Sequence, residues 1–344
     1  MNIVIPILIV FVVLVASCVY VYVYQVQTPV PAPTPAPTPA PAPAKPTVLD
    51  FSKLKPDLSV SATYGLPGGG KFLLYNSTDD TPNYLEVMQG GLGDCGFDST
   101  MAEIAYKNPI IIKNMITQKG DLYYVSFYNF VKNVPFQVIV TAELPLDSQN
   151  EGFFDKFYVD KKTQKPVIWS HIILKALACL IGNYPDIKFV TGNLNGYAGL
   201  TSPIIKLSLL KSIQGLTNVT QVTDKSVIEN VSNKNFMCVG GTEGISNVVP
   251  ATFTKNGDGY DCPGGKVKLT DKALLIYNSN GKLTNCLIHN HAYSMLDYKA
   301  GQVILRNPWG TYSIVPGYVY PNGIIKLPIE QFKVFFTNIL TASL

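Results

Sequence analysis

Gln89-Gly-Gly-Leu-Gly-Asp-Cys95, running on into Gly96-Phe-Asp-Ser-Thr-Met-Ala-Glu-Ile-Ala105, decides how the 344-residue chain is read. Glycines at 90, 91 and 93 describe a loop that turns tightly and passes close to something, since only glycine takes positive φ without steric cost. Phe97, Met101, Ile104 and Ala105 recur at helical spacing and predict an amphipathic helix with one buried apolar stripe. Cys95 then falls in the first turn of that helix. Unpaired N–H groups and the positive end of the helix dipole there favour a thiolate. The loop alone leaves two readings open: a nucleophile, or a small hydrophobe packed at a helix start.

Composition removes several classes of function. Only 15% of residues are charged, the net charge is +4, and Arg306 is the single arginine, so no basic face for nucleic acid is expected. The cysteines at 18, 95, 179, 238, 262 and 286 lack the close CxxC pairs of a zinc site and do not fix the redox compartment. Gly65-Leu-Pro-Gly-Gly-Gly-Lys71 mimics a phosphate-binding loop, but Phe72 stands where a hydroxyl must meet magnesium and no helix start follows. A surface turn is expected instead. Asn256-Gly-Asp-Gly-Tyr-Asp-Cys-Pro-Gly-Gly265 reads as a turn-rich loop without the ordered spacing of an EF-hand. No metal or cofactor is expected. Asn76, Asn218 and Asn230 open glycosylation sequons, which matter only in a lumenal or secreted domain.

Toward the N-terminus, Ile3 to Tyr24 is almost uninterruptedly apolar and long enough to cross a bilayer, with Tyr20, Tyr22 and Tyr24 at its end. A cleaved signal peptide is the rival, but there is no basic flank and the run exceeds the usual signal length. An uncleaved single-pass anchor over 1–25 is therefore expected, on an unspecified side of the membrane. Cys18 resembles a lipoprotein cleavage site but is followed by more apolar sequence, which favours a lipid-facing or acylated residue. From 26 to 48 Pro-Ala-Pro-Thr repeats predict an extended polyproline rod, about 60 Å long for twenty residues.

The remainder divides into an expected helical lobe over 49–200 and a strand-rich lobe over 201–344. Asp121 to Tyr128 and Phe136 to Pro145 alternate as paired strands. Trp169 to Leu180 returns to helical spacing and stops at Gly182-Asn183; His171 and Cys179 within it read as packed residues. Further on, Cys286-Leu-Ile-His289 leads into His291-Ala-Tyr-Ser, and Gln302-Val-Ile-Leu305 ends in Arg306-Asn-Pro-Trp-Gly310.

A thiolate needs a base to take and return its proton, and that base needs a group to hold its tautomer. His291 and Asn307 fit those needs. Together, Gln89-Gly-Gly-Leu-Gly-Asp-Cys95, His291-Ala-Tyr-Ser and Leu305-Arg-Asn-Pro-Trp-Gly310 closely resemble the three active-site blocks of the calpain cysteine protease core, in the family's order. Trp169 to Tyr184 and Asn322 to Thr337 are similar to further family segments, so the likeness spans roughly residues 60 to 342. It implies an α+β papain-like fold of two lobes. It also implies Cys95 as nucleophile, His291 as base, Asn307 as its orienter, Gln89 as oxyanion donor and Trp309 as a shield of the His291–Asn307 bond.

Departures from the family pattern qualify this. Gly96 replaces the usual tryptophan, Thr141-Ala142 replaces a pair of aspartates, and Leu174 stands where a calcium-associated glutamate is common. Thr311 to Pro321 carries no carboxylate. Calcium control is therefore doubtful. The expectation is a membrane-tethered thiol endopeptidase acting on protein or peptide substrates. The alternatives are a silent calpain-like module, for instance in a virion, and acyl transfer of the transglutaminase type. The proline-rich tether and a Lys/Asn/Ile bias are the features on which a viral source is entertained.

Overall fold

The computed structural model describes residues 46–55, 62–91, 93–129, 134–183, 210–242, 244–311, 314–316 and 318–344, without the side chains of 181–183. The expected membrane helix, residues 26–45 of the expected spacer and the expected lobe boundary at 200/201 lie outside these residues. Among the described residues, no helix is long and apolar enough to cross a membrane.

The described chain starts with β1 (Thr47–Asp50) and β2 (Thr63–Gly65), then α1 (Cys95–Lys107) and α2 (Pro109–Met115). Strands β3 (Ile116–Lys119), β4 (Leu122–Asn129) and β5 (Val134–Thr141) follow, with β6 (Leu144–Leu146), β7 (Tyr158–Val159), β8 (Pro166–Val167) and α3 (Trp169–Asn183). Beyond the undescribed segment come β9 (Thr217–Val222), β10 (Phe236–Gly241), α4 (Ile245–Thr252), β11 (Lys255–Asn256), β12 (Gly259–Cys262) and β13 (Gly265–Leu269). The chain closes with β14 (Ala273–Asn278), β15 (Leu283–Ile288), β16 (Ala292–Lys299), β17 (Gln302–Arg306), β18 (Ile324–Pro328), α5 (Ile329–Phe335) and β19 (Asn338–Ser343).

The strand pair read from the alternation of apolar residues forms. β4 and β5 run antiparallel, Tyr123, Val125 and Phe127 point inward, and Phe127 stacks on Phe136 across the pair at 5.8 Å. Each such side chain contributes about 1.5–3 kcal/mol on burial. β1 pairs in parallel with β5, so Thr47 and Val48, counted in the proline-rich spacer, open a sheet of order β1-β5-β4-β3. The first half thus carries, beside its helices, the strand pair expected between Asp121 and Pro145. The second half holds a six-stranded sheet, β18-β17-β16-β10-β19-β9, and a five-stranded one, β11-β12-β13-β14-β15.

Asn256 to Gly265 corrects the sequence reading. Instead of a loop it is an antiparallel meander of β11, β12 and the start of β13. Its Gly257 and Gly264, at φ +61 and +83, make the two turns. The Gly65–Lys71 stretch is a turn as expected, with one 3-10 segment over Pro67–Gly70. Asn76 is buried, and its side-chain amide donates to the Thr81 carbonyl and to Glu86 Oε1, so that sequon is unsuited to a glycan.

Two hydrophobic clusters form the interior. One gathers α1, α2, α3 and the four-stranded sheet; the other gathers β14 to β18, α4 and α5. Helix α1 joins them, and here too the sequence reading changes. The helix is not amphipathic: every residue but Tyr106 is buried, including Asp98, Ser99, Thr100, Glu103 and Lys107. Its polar side faces protein. Ser294 Oγ on β16 donates to the Ser99 carbonyl at 2.8 Å, and Lys107 Nζ donates to the Leu296 carbonyl at 2.9 Å and to that of Val231. Lys107 also lies 3.9 Å from Glu103, a pair buried in full. Unpaired buried polar groups are costly, so these bonds fix the register of α1 on β16.

Candidate active site

That register positions the site, because Cys95 opens α1 and His291 immediately precedes β16. Backbone bonds with Thr242 hold His291: the His291 N–H donates to Thr242 Oγ1 at 3.1 Å and the Thr242 N–H to the His291 carbonyl at 3.0 Å. Its ring lies against Trp309 at 4.8 Å and meets Tyr293 edge-on at 5.0 Å. Nε2 lies 2.9 Å from Asn307 Oδ1, and both residues are buried.

Asn307 follows β17, where the chain turns through Pro308 to Gly310. Its N–H donates to the Gly323 carbonyl at 2.9 Å. Gly323 has φ +75, and a Cβ there would sit 2.4 Å from the Asn307 carbonyl oxygen. Only glycine fits both the torsion and the approach. The Trp309 N–H donates to Asn307 Oδ1 at 3.0 Å, which fixes the atom facing His291 as oxygen. His291 Nε2 must then carry the hydrogen, leaving Nδ1 as the basic nitrogen.

The loop before Cys95 is held from both sides. The Gln89 N–H donates to the Pro308 carbonyl at 3.0 Å, and the Lys156 N–H to the Met88 carbonyl at 2.8 Å. Gln89 also pairs with Asp155 as an isolated antiparallel bridge. A Cβ on Gly90 would lie 2.3 Å from the Phe154 carbonyl oxygen, so glycine is required there. Arg306 Nη2 donates to the Val87 carbonyl at 2.6 Å and ties the same loop to β17. His171 sits behind this layer as the packed histidine expected, with Nε2 3.2 Å from the Asp155 carbonyl and its ring against Phe157. Burial holds its pKa down at about 4.

Gln89, Cys95, His291 and Trp309 line one cleft of about 610 Å³, together with Gly90, Gly91, Gly93, Lys156, Ile288, His289 and Asn290. Asn307 stands behind His291, out of the cleft. All five residues singled out by the sequence are thereby gathered at one place. Gly96 is buried, and its carbonyl accepts from Thr100 Oγ1 at 2.7 Å. Such a set can deprotonate a thiol and hold a carbonyl beside it.

Beneath the cleft lies a group that the sequence did not disclose. Asp94, Asp98 and Asp155 are buried, with carboxylate oxygens within 4.8 Å of one another. None of the six oxygens has a donor at full hydrogen-bond geometry. Burial, then the charge of Asp155, pushes Asp94 and Asp98 well above the usual carboxylate range. Burial pushes Asp155 up to about 7, against a smaller lowering by the Gly90 amide. Arg306 is the cation facing Asp98. Three carboxyls so close and so buried are stable when they are protonated or when a cation lies between them. Asp94 immediately precedes α1 and Asp98 lies four residues on, in its first turn, whereas Asp155 arrives from a segment whose docking has no periodic signal.

The remaining described thiols are of another kind. Burial raises Cys179 to about 12 and Cys262 and Cys286 to about 11, and raises Cys238 well above its usual range. They are neutral and poorly nucleophilic at neutral pH.

A cysteine at a helix start, a histidine with one nitrogen bound to asparagine and a glutamine in the preceding loop define the thiol-peptidase class of site. A model of the calpain family cysteine protease matches residues 75–316, well over half of the chain, a span that includes these four residues and Trp309. The chain belongs to the calpain family of cysteine proteases, and its described part is a mixed helix-and-sheet protease core.

Proposed function

We propose that the chain is a papain-like, two-lobed endopeptidase in which Cys95, His291 and Asn307 carry the chemistry, tethered to a membrane by residues 1–25. The observation that carries the catalytic reading is the bond from His291 Nε2 to Asn307 Oδ1 at 2.9 Å, with His291 lining the same cleft as Cys95. Nδ1 of His291 takes the Cys95 proton, and the thiolate attacks the scissile carbonyl carbon. The oxyanion that forms is met by the Gln89 side-chain amide and the Cys95 N–H, a contribution of about 3–4 kcal/mol per donor in comparable sites. His291 then returns the proton to the leaving amine, and water hydrolyses the thioester. Trp309 covers the His291–Asn307 bond and keeps water from competing for it.

Support for the tether is the composition of Ile3 to Tyr24 and of the proline-rich stretch after it. Two comparisons test the reading. The purified full chain should degrade unfolded protein substrates, and its Cys95→Ala variant should not; equal cleavage by both would refute the assignment. In cells, the full chain should partition with membranes and a chain lacking residues 1–25 should not.

A further inference from the structure

We propose that Tyr293 is a positioning residue for His291: its hydroxyl fastens the short connection that carries the histidine, and its ring packs on the imidazole. The inference deepens the protease reading above and rests on it.

The connection from β15 to β16 is only His289-Asn290-His291, and it leaves one sheet for another. β15 is an edge strand of the five-stranded sheet, whereas β16 lies inside the six-stranded one. The two strands share no ladder, so a hairpin's own bonds do not set where His291 sits. Hydroxyls do this instead. The N–H of Ile288, the last residue of β15, donates to Tyr293 Oη at 2.8 Å, and its carbonyl accepts from Thr242 Oγ1 at 2.6 Å. Thr242 Oγ1 also accepts the His291 N–H. Tyr293, two residues beyond His291, thereby closes the stretch from Ile288 onward into a ring, in which Asn290 turns the chain at φ +49.

The closing bond is shut away from water. Tyr293 is fully buried, and Phe336 lies against its ring at 5.6 Å. A phenylalanine would fill the same space, and a buried hydroxyl stabilises only through the bond it makes. The same ring meets the imidazole of His291 edge-on at 5.0 Å, while Asn307 Oδ1 binds Nε2 at 2.9 Å. Loosening Ile288 therefore loosens the imidazole against both Asn307 and Cys95.

The same strand edge supplies its own control. Tyr320 Oη bonds both the N–H and the carbonyl of Cys286, two residues before Ile288. Its ring stands against Tyr318 at 4.9 Å, and it lines a second cavity that does not include Cys95 or His291. Tyr320 is a cap of the edge without contact to the reaction.

The test compares Tyr293→Phe with Tyr320→Phe in the full chain. Each removes one buried hydroxyl, and both should lower the denaturant midpoint. Only Tyr293→Phe should lower kcat on a peptide substrate, by about 10- to 100-fold with KM changed less than about twofold, the cost of a misplacement within about 1 Å. Wild-type kcat in Tyr293→Phe, or an equal fall in both variants, would overturn the proposal. Selective ¹⁵N labelling of the three histidines reads the position without turnover. The signal of the His291 Nε2–H bound to Asn307 should persist in wild type and in Tyr320→Phe and be lost to solvent exchange in Tyr293→Phe. An unchanged signal in all three overturns the proposal even where no peptide is cleaved, an outcome that by itself refutes only the protease reading. Should Tyr293→Phe not fold, hydrogen exchange of the Ile288 amide in the wild-type chain decides: protection equal to that of the paired strand amides supports the proposal, and free exchange overturns it.

Discussion

His291 Nε2 stands 2.9 Å from Asn307 Oδ1, and the same oxygen accepts the Trp309 N–H at 3.0 Å. One asparagine thereby sets the tautomer of the histidine while its own orientation is set by the backbone. Replacing Asn307 by Ala frees the imidazole to rotate and to take the wrong tautomer. The expected outcome is a fall in kcat of about 10²- to 10⁴-fold, the usual range for losing positioned acid–base catalysis. Steady-state kinetics on a peptide substrate measures it; a variant with wild-type kcat would show that Asn307 does not orient His291.

Gln89 acts on a different term. Its backbone is pinned by Pro308 and Asp155, so Gln89→Ala should leave the loop in place and remove only the side-chain donor. A loss of about 10²- to 10³-fold in kcat with KM little changed is expected. A change confined to KM would assign Gln89 to substrate binding instead.

Gly323→Ala should reach the site from behind. The added Cβ meets the Asn307 carbonyl oxygen in a backbone conformation at φ +75, so strain of about 1–3 kcal/mol is expected together with displacement of Asn307. Denaturant unfolding should show a lowered midpoint, and kcat should fall with it. A variant of unchanged midpoint and unchanged kcat would contradict the close approach.

Much of this site was legible in the sequence, for a physical reason. Gln89, Cys95, His291, Asn307 and Trp309 each sit in short local motifs whose chemistry constrains neighbouring residues. The β4–β5 pair was legible because its buried residues alternate. The environment of α1 was not. Phe97, Met101 and Ile104 mark one buried stripe, and nothing in the spacing says that Asp98, Glu103 and Lys107 are buried on the other side. That follows only from α1 lying between two cores, a relation made by β10 and β16 more than a hundred residues away. Asn256 to Gly265 was misread because glycine-rich turns look alike whether or not short strands separate them.

The buried acids predict how stability depends on pH. Asp155 titrates at about 7 in the fold, raised from 3.8 by burial. The folded state therefore holds a proton that the unfolded chain releases, and stability rises wherever the unfolded state binds more protons, not fewer. The contribution of Asp155 is thus fully present below about pH 4 and is lost as pH rises to about 7. Asp155→Asn removes that dependence. The difference in denaturant midpoint between Asp155→Asn and wild type should grow in favour of the variant from pH 4 to pH 8. Parallel curves would show that Asp155 is not held protonated.

Labelling with an epoxide thiol inhibitor, mapped by mass spectrometry, tests the central claim most directly. Among the cysteines at 95, 179, 238, 262 and 286, the full chain at neutral pH should take one adduct, on Cys95, because burial keeps the other four thiols neutral. His291→Ala should suppress that adduct without unfolding the protein. Equal labelling of Cys95 in the two proteins, or an adduct on any of those four buried thiols, would contradict a Cys95–His291–Asn307 peptidase.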